Sequence, residues 1–355
     1  MKKNKKQTSS SQGWIVKLPK EKKEIKLDKK DRLILQALTQ NARTTLSTLS
    51  KITNLSKNSI ANRIKNYEKI GLTNGTSTFI DMSKLGLECF QVGIKTKMTL
   101  YQKEKFIEHL KKIKFLNQIM FLSSSHWNFM IRFYTKNTNH FNEIITNITS
   151  FKNIVDIEIM PIENVYSSPI KFIEPELDIN KFIKKQDPSF QTTFNSARNK
   201  KLSFDKTDLK ILNLLSNNSK IPITEIASKI NSSKDIVKYR IKNLIRNNTL
   251  RHFFTNTNLF LLGFNAYLFS LQIFNREKIN DIIEHLSSHP NCTGLMTTKG
   301  SWNILGGIIL KDAYEIKKFE EEFFTKFEKY VHDYTLIQIL EQPHYNLFIK
   351  EIIES

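Results

Sequence analysis

The chain is poor in the residues from which covalent and metal-based scaffolds are built. Cys89 and Cys292 are its only cysteines in 355 residues, and neither belongs to a CxxC pair. That count excludes a disulfide framework and a zinc ribbon and fits a reducing, cytoplasmic setting. No apolar run approaches the roughly 18 residues that a helical membrane span needs. Residues 1–14 are basic and polar, without the apolar stretch of a secretory signal. The phosphate-cradling GxxxxGK[ST] and GxGxxG, the metal-binding HExxH and the nucleophile elbow GxSxG are all missing. The eight histidines are scattered. His285 and His289 stand four apart, but Pro290 follows and no third ligand is near, so neither a metal nor a cofactor is expected.

What the chain has in excess is positive charge. Lys and Arg number 55 against 34 Asp and Glu, a formal net charge of +21. Polyanions are the natural partners of such a surface. A general enrichment in Lys, Asn, Ile and Phe feeds the same excess, so the charge supports an assignment without carrying one. With 39% apolar residues, the chain can bury cores for two to four domains.

Residues 27–66 are written twice. Shifted by 177 positions they fall without a gap on 204–243, where Asp28, Asp31, Ile34, Leu35 and Leu38 recur as Asp205, Asp208, Ile211, Leu212 and Leu215. Asn54, Ser56, Lys57 and Arg63 recur as Asn231, Ser233, Lys234 and Arg240. So long a period means a duplicated domain pair and not a solenoid. Each block reads as three helices. In the first, over 28–40, Asp28 is a fitting N-cap, Asp31 suits the positive end of the dipole, and Ile34, Leu35 and Leu38 share a face. A second spans 46–53, and again 223–230 behind Pro222. Ser56 and Ser233 cap the third. Its apolar stripe is Ile60, Ile64 and Tyr67, matched by Val237, Ile241 and Leu244.

The opposite face of the third helix carries Lys57, Asn58, Asn62, Arg63 and Lys65, or Lys234, Lys238, Tyr239, Arg240 and Lys242. An apolar back and a basic, amide-bearing front suit the major groove of double-stranded DNA. One such helix is equally well an ordinary solvated face; two in the same rhythm favour a pair of DNA-reading heads. Base contacts are expected from Lys57, Asn58, Ser59 and Asn62, and from Lys234, Lys238 and Tyr239, with Asn62 placed for an adenine edge. Arg63, Lys65, Arg240 and Lys242 are expected at phosphates, with Ser56 and Ser233 at the helix starts. Asp235 would repel phosphate unless it caps the helix, which would leave the second head the weaker.

A β-rich piece follows each block, at 73–81 with the hairpin signal Asn74-Gly75, and at 250–258; these read as wings. The rest of each half runs β-α-β-β-α-β, the ferredoxin-like order. Strands are expected at 89–97, 118–123, 127–134 and 154–162, and helices at 101–112 and 139–150. The second half repeats this at 266–273, 292–298, 302–310 and 331–340, with helices at 276–287 and 313–329. A recurring Trp-Asn, Trp127-Asn128 and Trp302-Asn303, opens the third strand. The fold expected is α+β, two winged helix-turn-helix domains alternating with two ferredoxin-like domains. The divisions are a disordered basic arm over 1–26, head one over 27–82, a ferredoxin-like domain over 83–163 and a linker over 164–202. Head two follows over 203–259 and a second ferredoxin-like domain over 260–355.

This order resembles the Lrp/AsnC family, the feast/famine regulators. The likeness covers nearly the whole chain twice. It rests on Leu-Asp-x-x-Asp-x-x-Ile-Leu at 27–35, echoed at 204–212, and on Ser-x-x-x-(Ile/Val)-x-x-Arg-Ile at 56–64 and 233–241. Leu85-Gly86 and Leu262-Gly263 fit as well. The resemblance implies a sequence-specific transcriptional regulator and no enzyme. It implies dimerisation through the ferredoxin-like sheets, here open to the two copies of one chain as a pseudo-dimer, and homo-oligomers beyond that. It also implies a small amino-acid-like effector, with contacts at His126, Trp127, Asn128, Trp302 and Asn303. The family's turn there, Gly-x-(Tyr/Trp)-Asp, has become Ser-His-Trp-Asn and Gly-Ser-Trp-Asn, and the lost carboxylate removes a partner for an α-ammonium. Two alternatives share parts of the pattern. Siroheme decarboxylases have the same architecture, with Tyr-Asn in place of Trp-Asn and basic residues near Arg251-His252. An architectural protein would bind DNA through phosphates alone.

Overall fold

The computed structural model describes residues 24–166, 171–182 and 203–354. The expected basic arm lies outside them except for residues 24–26, where the Ile25 amide donates to the Leu261 carbonyl at 2.7 Å. Much of the expected linker lies outside them too.

The first copy runs α1 (Lys29–Gln40), α2 (Leu46–Thr53), α3 (Lys57–Lys69), β1 (Thr73–Ile80), β2 (Glu88–Thr96), α4 (Leu100–Leu110), β3 (Leu116–Leu122), β4 (Phe129–Thr135), α5 (Thr138–Thr149) and β5 (Ile154–Tyr166). The second runs α6 (Lys206–Asn217), α7 (Ile223–Lys229), α8 (Lys234–Arg246), β6 (Leu250–Thr257), β7 (Asn265–Ile273), α9 (Ile279–Ser288), β8 (Cys292–Thr298), β9 (Ile304–Leu310), α10 (Ala313–Phe327) and β10 (Val331–Tyr345). A short 3-10 turn, Lys350–Ile353, ends it.

The repeated residues of the heads have local reasons to recur. α1 and α6 each start on a capping box: Asp28 accepts the Asp31 amide at 2.6 Å, Asp205 accepts that of Asp208 at 2.9 Å, and each second carboxylate reaches back. Asn54 and Asn231 sit at φ of +59° and +52° after α2 and α7, a left-handed backbone that Asn tolerates better than most residues.

The two ferredoxin-like halves do not stand apart. Their strands close one barrel in the order β10-β3-β4-β2-β5-β8-β9-β7. β5 pairs with β2 up to Pro161, then crosses to pair with β8 from Ile162 to Tyr166. β10 likewise leaves β7 after Gln338 and runs along β3 from Ile339 to Tyr345. Trp127, Met130, Met160, Trp302 and Leu305 fill the interior between the sheets. α4 and α5 cover one outer face through Phe106, Ile107, Ile144 and Ile148, and α9 and α10 cover the other through Ile282, Leu286, Phe319 and Phe323. The pseudo-dimer is therefore formed within one chain.

The wings differ from expectation. Asn74-Gly75 does not turn a hairpin; it sits at a register shift in β1, whose partner is β6 of the other copy. Gly75 holds φ +75°, as readily suited to a bulge as to a turn. Each head rests on the other copy's strand. The Ala42 amide donates to Phe253, and Ser219 to Thr76. Residues 171–182 also pack on head one, with Phe172, Ile173 and Ile179 buried beside Ile34 and Leu38.

Candidate nucleic-acid interface

α3 and α8 are amphipathic in the expected sense. Ile60 and Tyr67 are buried under α3, and Val237, Ile241 and Leu244 under α8. Ser56 and Ser233 use their hydroxyls as caps, accepting the amides of Ser59 and Ile236 at 3.2 Å in both copies. On the other side Lys57, Asn58, Asn62 and Lys65 are exposed on α3, with Ser59 half-buried. Lys234, Lys238, Tyr239 and Lys242 are exposed on α8. A large aromatic, Tyr239, at 66% exposure, and Ile236 beside it add apolar surface to the second front that the first lacks. Asp235 is not a cap. Its carboxylate is solvent-exposed, 3.8 Å from the Lys238 ammonium.

Arg63 and Arg240 do not join this front. Arg63 bridges Asp28 at 2.8 Å and Asp31 at 2.5 Å; Arg240 bridges Asp205 at 2.8 Å and Asp208 at 3.0 Å. The Tyr67 hydroxyl also donates to Asp31, at 2.6 Å. The Asp31 amide and the Arg63 guanidinium together hold the Asp28 carboxyl below its ordinary value. Each arginine thus ties α3 to α1, or α8 to α6, instead of presenting the free cation that a phosphate contact calls for. The signal was in the sequence, since both Asp residues recur with the Arg, but a repeated arginine on a basic helix reads first as a DNA contact.

The recurrent Trp-Asn pair is also engaged in structure. Trp127 and Trp302 are 2% and 4% exposed and meet edge to face inside the barrel, centroids 5.6 Å apart. The Asn128 amide oxygen accepts from the Thr96 backbone at 2.7 Å, and that of Asn303 from Ile273 at 2.6 Å, so each Asn pins its loop to the neighbouring strand. Trp127, Trp302 and Asn303 are buried and Asn128 is half-buried, so the four side chains leave an effector little surface. His126 alone is exposed, 3.7 Å from Glu158, which also accepts from Ser301 at 2.8 Å. Arg251 and His252 lie inside the molecule, and Arg251 is ion-paired with Asp81 of the first copy. Among the described residues no cluster of His, Cys, Asp or Glu is arranged for a metal, and no helix is long and apolar enough to cross a membrane.

The AsnC-type helix-turn-helix domain model matches this chain twice, over residues 27–68 and 204–245. The chain therefore carries two AsnC-type helix-turn-helix domains. It is a tandem duplication of a helix-turn-helix plus ferredoxin-like unit, similar to regulators that match about a third of its length. Over 132 residues it is 26% identical to an uncharacterized HTH-type transcriptional regulator of Pyrococcus abyssi, covering 37% of this chain and 84% of that one. Over 125 residues it is 29% identical to the HTH-type transcriptional regulator LrpA of the same organism, covering 34% and 84%. In three dimensions the siroheme decarboxylase NirDL superposes over 92% of this chain and 97% of its own, with a TM-score of 0.58 at 10% identity. That last likeness is one of fold.

Proposed function

We propose that the chain is a sequence-specific DNA-binding transcriptional regulator that reads DNA with two unequal heads. The observation that carries this reading is the duplicated α3 and α8 front. In both copies the apolar back is buried and the lysine- and amide-bearing face is left in solvent. The positive charge of the chain supplies a sequence-independent attraction for phosphates. The pairing of the copies presents two non-identical heads, and a site that mirrors them would be non-palindromic. Asp235, whose carboxylate draws on the Lys238 ammonium, and the exposed Tyr239 make head two the one with the weaker phosphate grip. A small effector and higher assemblies belong to this proposal as expectations from the family, as does a cytoplasmic location.

Fluorescence anisotropy on one duplex at several salt concentrations tests it. Each neutralised phosphate contributes about 0.9 to the slope of log affinity against log salt. Lys65→Ala should therefore flatten the slope by roughly 0.9. Lys242→Ala should flatten it by no more than that. Wild-type binding with a slope that neither change alters would overturn the assignment of these faces. The fold shared with a siroheme decarboxylase is the second reading, and a chain that binds no duplex at low salt would favour it.

A further inference from the structure

The two copies have diverged inside the barrel at one pair of positions. β4 and β9 correspond at an offset of 175 residues, Phe129 with Ile304, so Arg132 stands where the second copy has Gly307. Both face inward. Arg132 lies opposite Gln91 in β2, and Gly307 opposite the equivalent Leu268 in β7, a residue of the inter-sheet core. One copy thus sends a guanidinium into the interior where the other sends no side chain. A cavity of about 170 Å³ has both positions in its wall.

The charge balance of that cavity is one-sided. Arg132 Nε donates to Gln91 at 2.9 Å. The described wall contains no Asp, no Glu and no other Lys or Arg. His252 is in the wall, and burial, reinforced by Arg251, lowers it to about 4, so it is neutral at physiological pH. Two wall residues keep a buried polar atom without a hydrogen-bond partner: His252 at Nδ1 and Gln118 at Oε1, in side chains 8% and 7% exposed. The remaining wall is largely apolar, including Met120, Leu268 and Met296. Arg132 is half-buried, and a cation partly withdrawn from water without a counter-charge is costly, a cost that an entering anion relieves. Cavities near 150 Å³ hold a molecule of benzene's size.

We propose that this cavity binds a small monocarboxylate whose apolar body is about the size of one aromatic ring. Arg132 holds the carboxylate, and the body lies in the apolar part of the cavity along Met120, Leu268 and Met296, with Gly307 and Thr293 in the wall. The site is not the Trp-Asn turn, and the proposal does not depend on DNA binding. Thr39 of α1 and the paired strands β1 and β6 also contribute to the wall, through Phe79 and Phe254, so an occupant touches the elements on which the heads sit.

Calorimetric titration of the full chain with benzoate, with 3-methylbutanoate and with benzamide as a neutral isostere of benzoate tests this. One benzoate is expected per chain, with benzamide at least tenfold weaker. Arg132→Met should lower benzoate affinity to the level of benzamide, and Arg132→Lys should keep part of it. Thermal unfolding of the ligand-free variants reports whether they fold. Should Arg132→Met not fold, Leu268→Phe fills the cavity with the charge retained, and loss of benzoate binding is again expected. Absence of saturable binding by either carboxylate, or equal benzoate affinity in wild type and in the folded variant, would overturn the proposal.

Discussion

Replacing Arg251 by methionine removes one half of an ion pair that joins the two copies. Arg251 is the second residue of β6 in the second copy, and its partner Asp81 follows β1 of the first, 170 residues away. Both are inaccessible to solvent, at 2% and 4% exposure. Arg251 also donates to the Val165 carbonyl at 3.2 Å and lies over the Phe79 ring, 5.6 Å from its centroid. In Arg251→Met the aliphatic volume is largely kept, but Asp81 is left with Ser83, whose amide and hydroxyl donate to it at 3.1 and 2.6 Å. Stranding one member of a buried pair costs about 3–5 kcal/mol, against roughly 5–15 kcal/mol for a whole domain. Urea unfolding followed by both circular dichroism and tryptophan fluorescence measures it. Asp81→Asn alone should also destabilise, and in the double variant the losses should fall short of additivity, because the second change removes the stranded charge. A loss below about 1 kcal/mol in Arg251→Met, the range of an exposed pair, or strict additivity in the cycle, would refute the reasoning.

Other expectations follow from the same geometry. Arg63→Ala should lower stability by about 1 kcal/mol, discounted for partial exposure, and leave the salt dependence of DNA binding unchanged; a slope smaller by one contact would restore Arg63 to the phosphates. Trp127→Ala empties the centre of the barrel and should cost about 3–5 kcal/mol in urea unfolding, whereas His126→Ala on the exposed turn should cost little. His252 has its folded value lowered from 6.5 to about 4, chiefly by burial. Between those limits the unfolded chain binds a proton that the folded one refuses, so stability is full above the window and falls as pH drops through it, by roughly 3 kcal/mol in all. His140, His285, His289 and His344 are lowered too and act in the same direction. The comparison is therefore with His252→Phe, which should flatten the urea midpoint between pH 6.5 and 4; an unchanged profile would show that His252 charges freely.

The three-helix heads and the β-α-β-β-α-β order were legible because helical and strand periodicity are local, and because duplication shows each twice. What links the copies was not. The expected strand ends at 162 and 340 fall close to where β5 and β10 leave their own sheets for the other copy's, at Ile162 and Ile339. Beyond those points come Glu163 and Asn164, or Glu341, Gln342 and Pro343, a polar stretch that resembles a loop unless the distant partner strand is known. β1 carried a strong local hairpin signal in Asn74-Gly75, yet its partner is β6 across the whole first ferredoxin-like half. The basic fronts of α3 and α8 were legible residue by residue, except that Arg63 and Arg240 belong with their carboxylates. Trp127 and Trp302 stood out by repetition; that they meet each other in the core requires the barrel to close. Arg132 is the one charge in the otherwise uncharged β4, a signal the sequence reading does not use, and only the inward pairing of β4 with β2 gives it a setting.

The most direct test of the central claim is selection of the full chain on a pool of random duplexes at physiological salt, followed by sequencing of the bound fraction. An enriched motif with two unequal half-sites, losing the preference in one half on Asn62→Ala, is the predicted result. Tight binding with no sequence enriched, or no binding at all, would contradict a sequence-reading regulator.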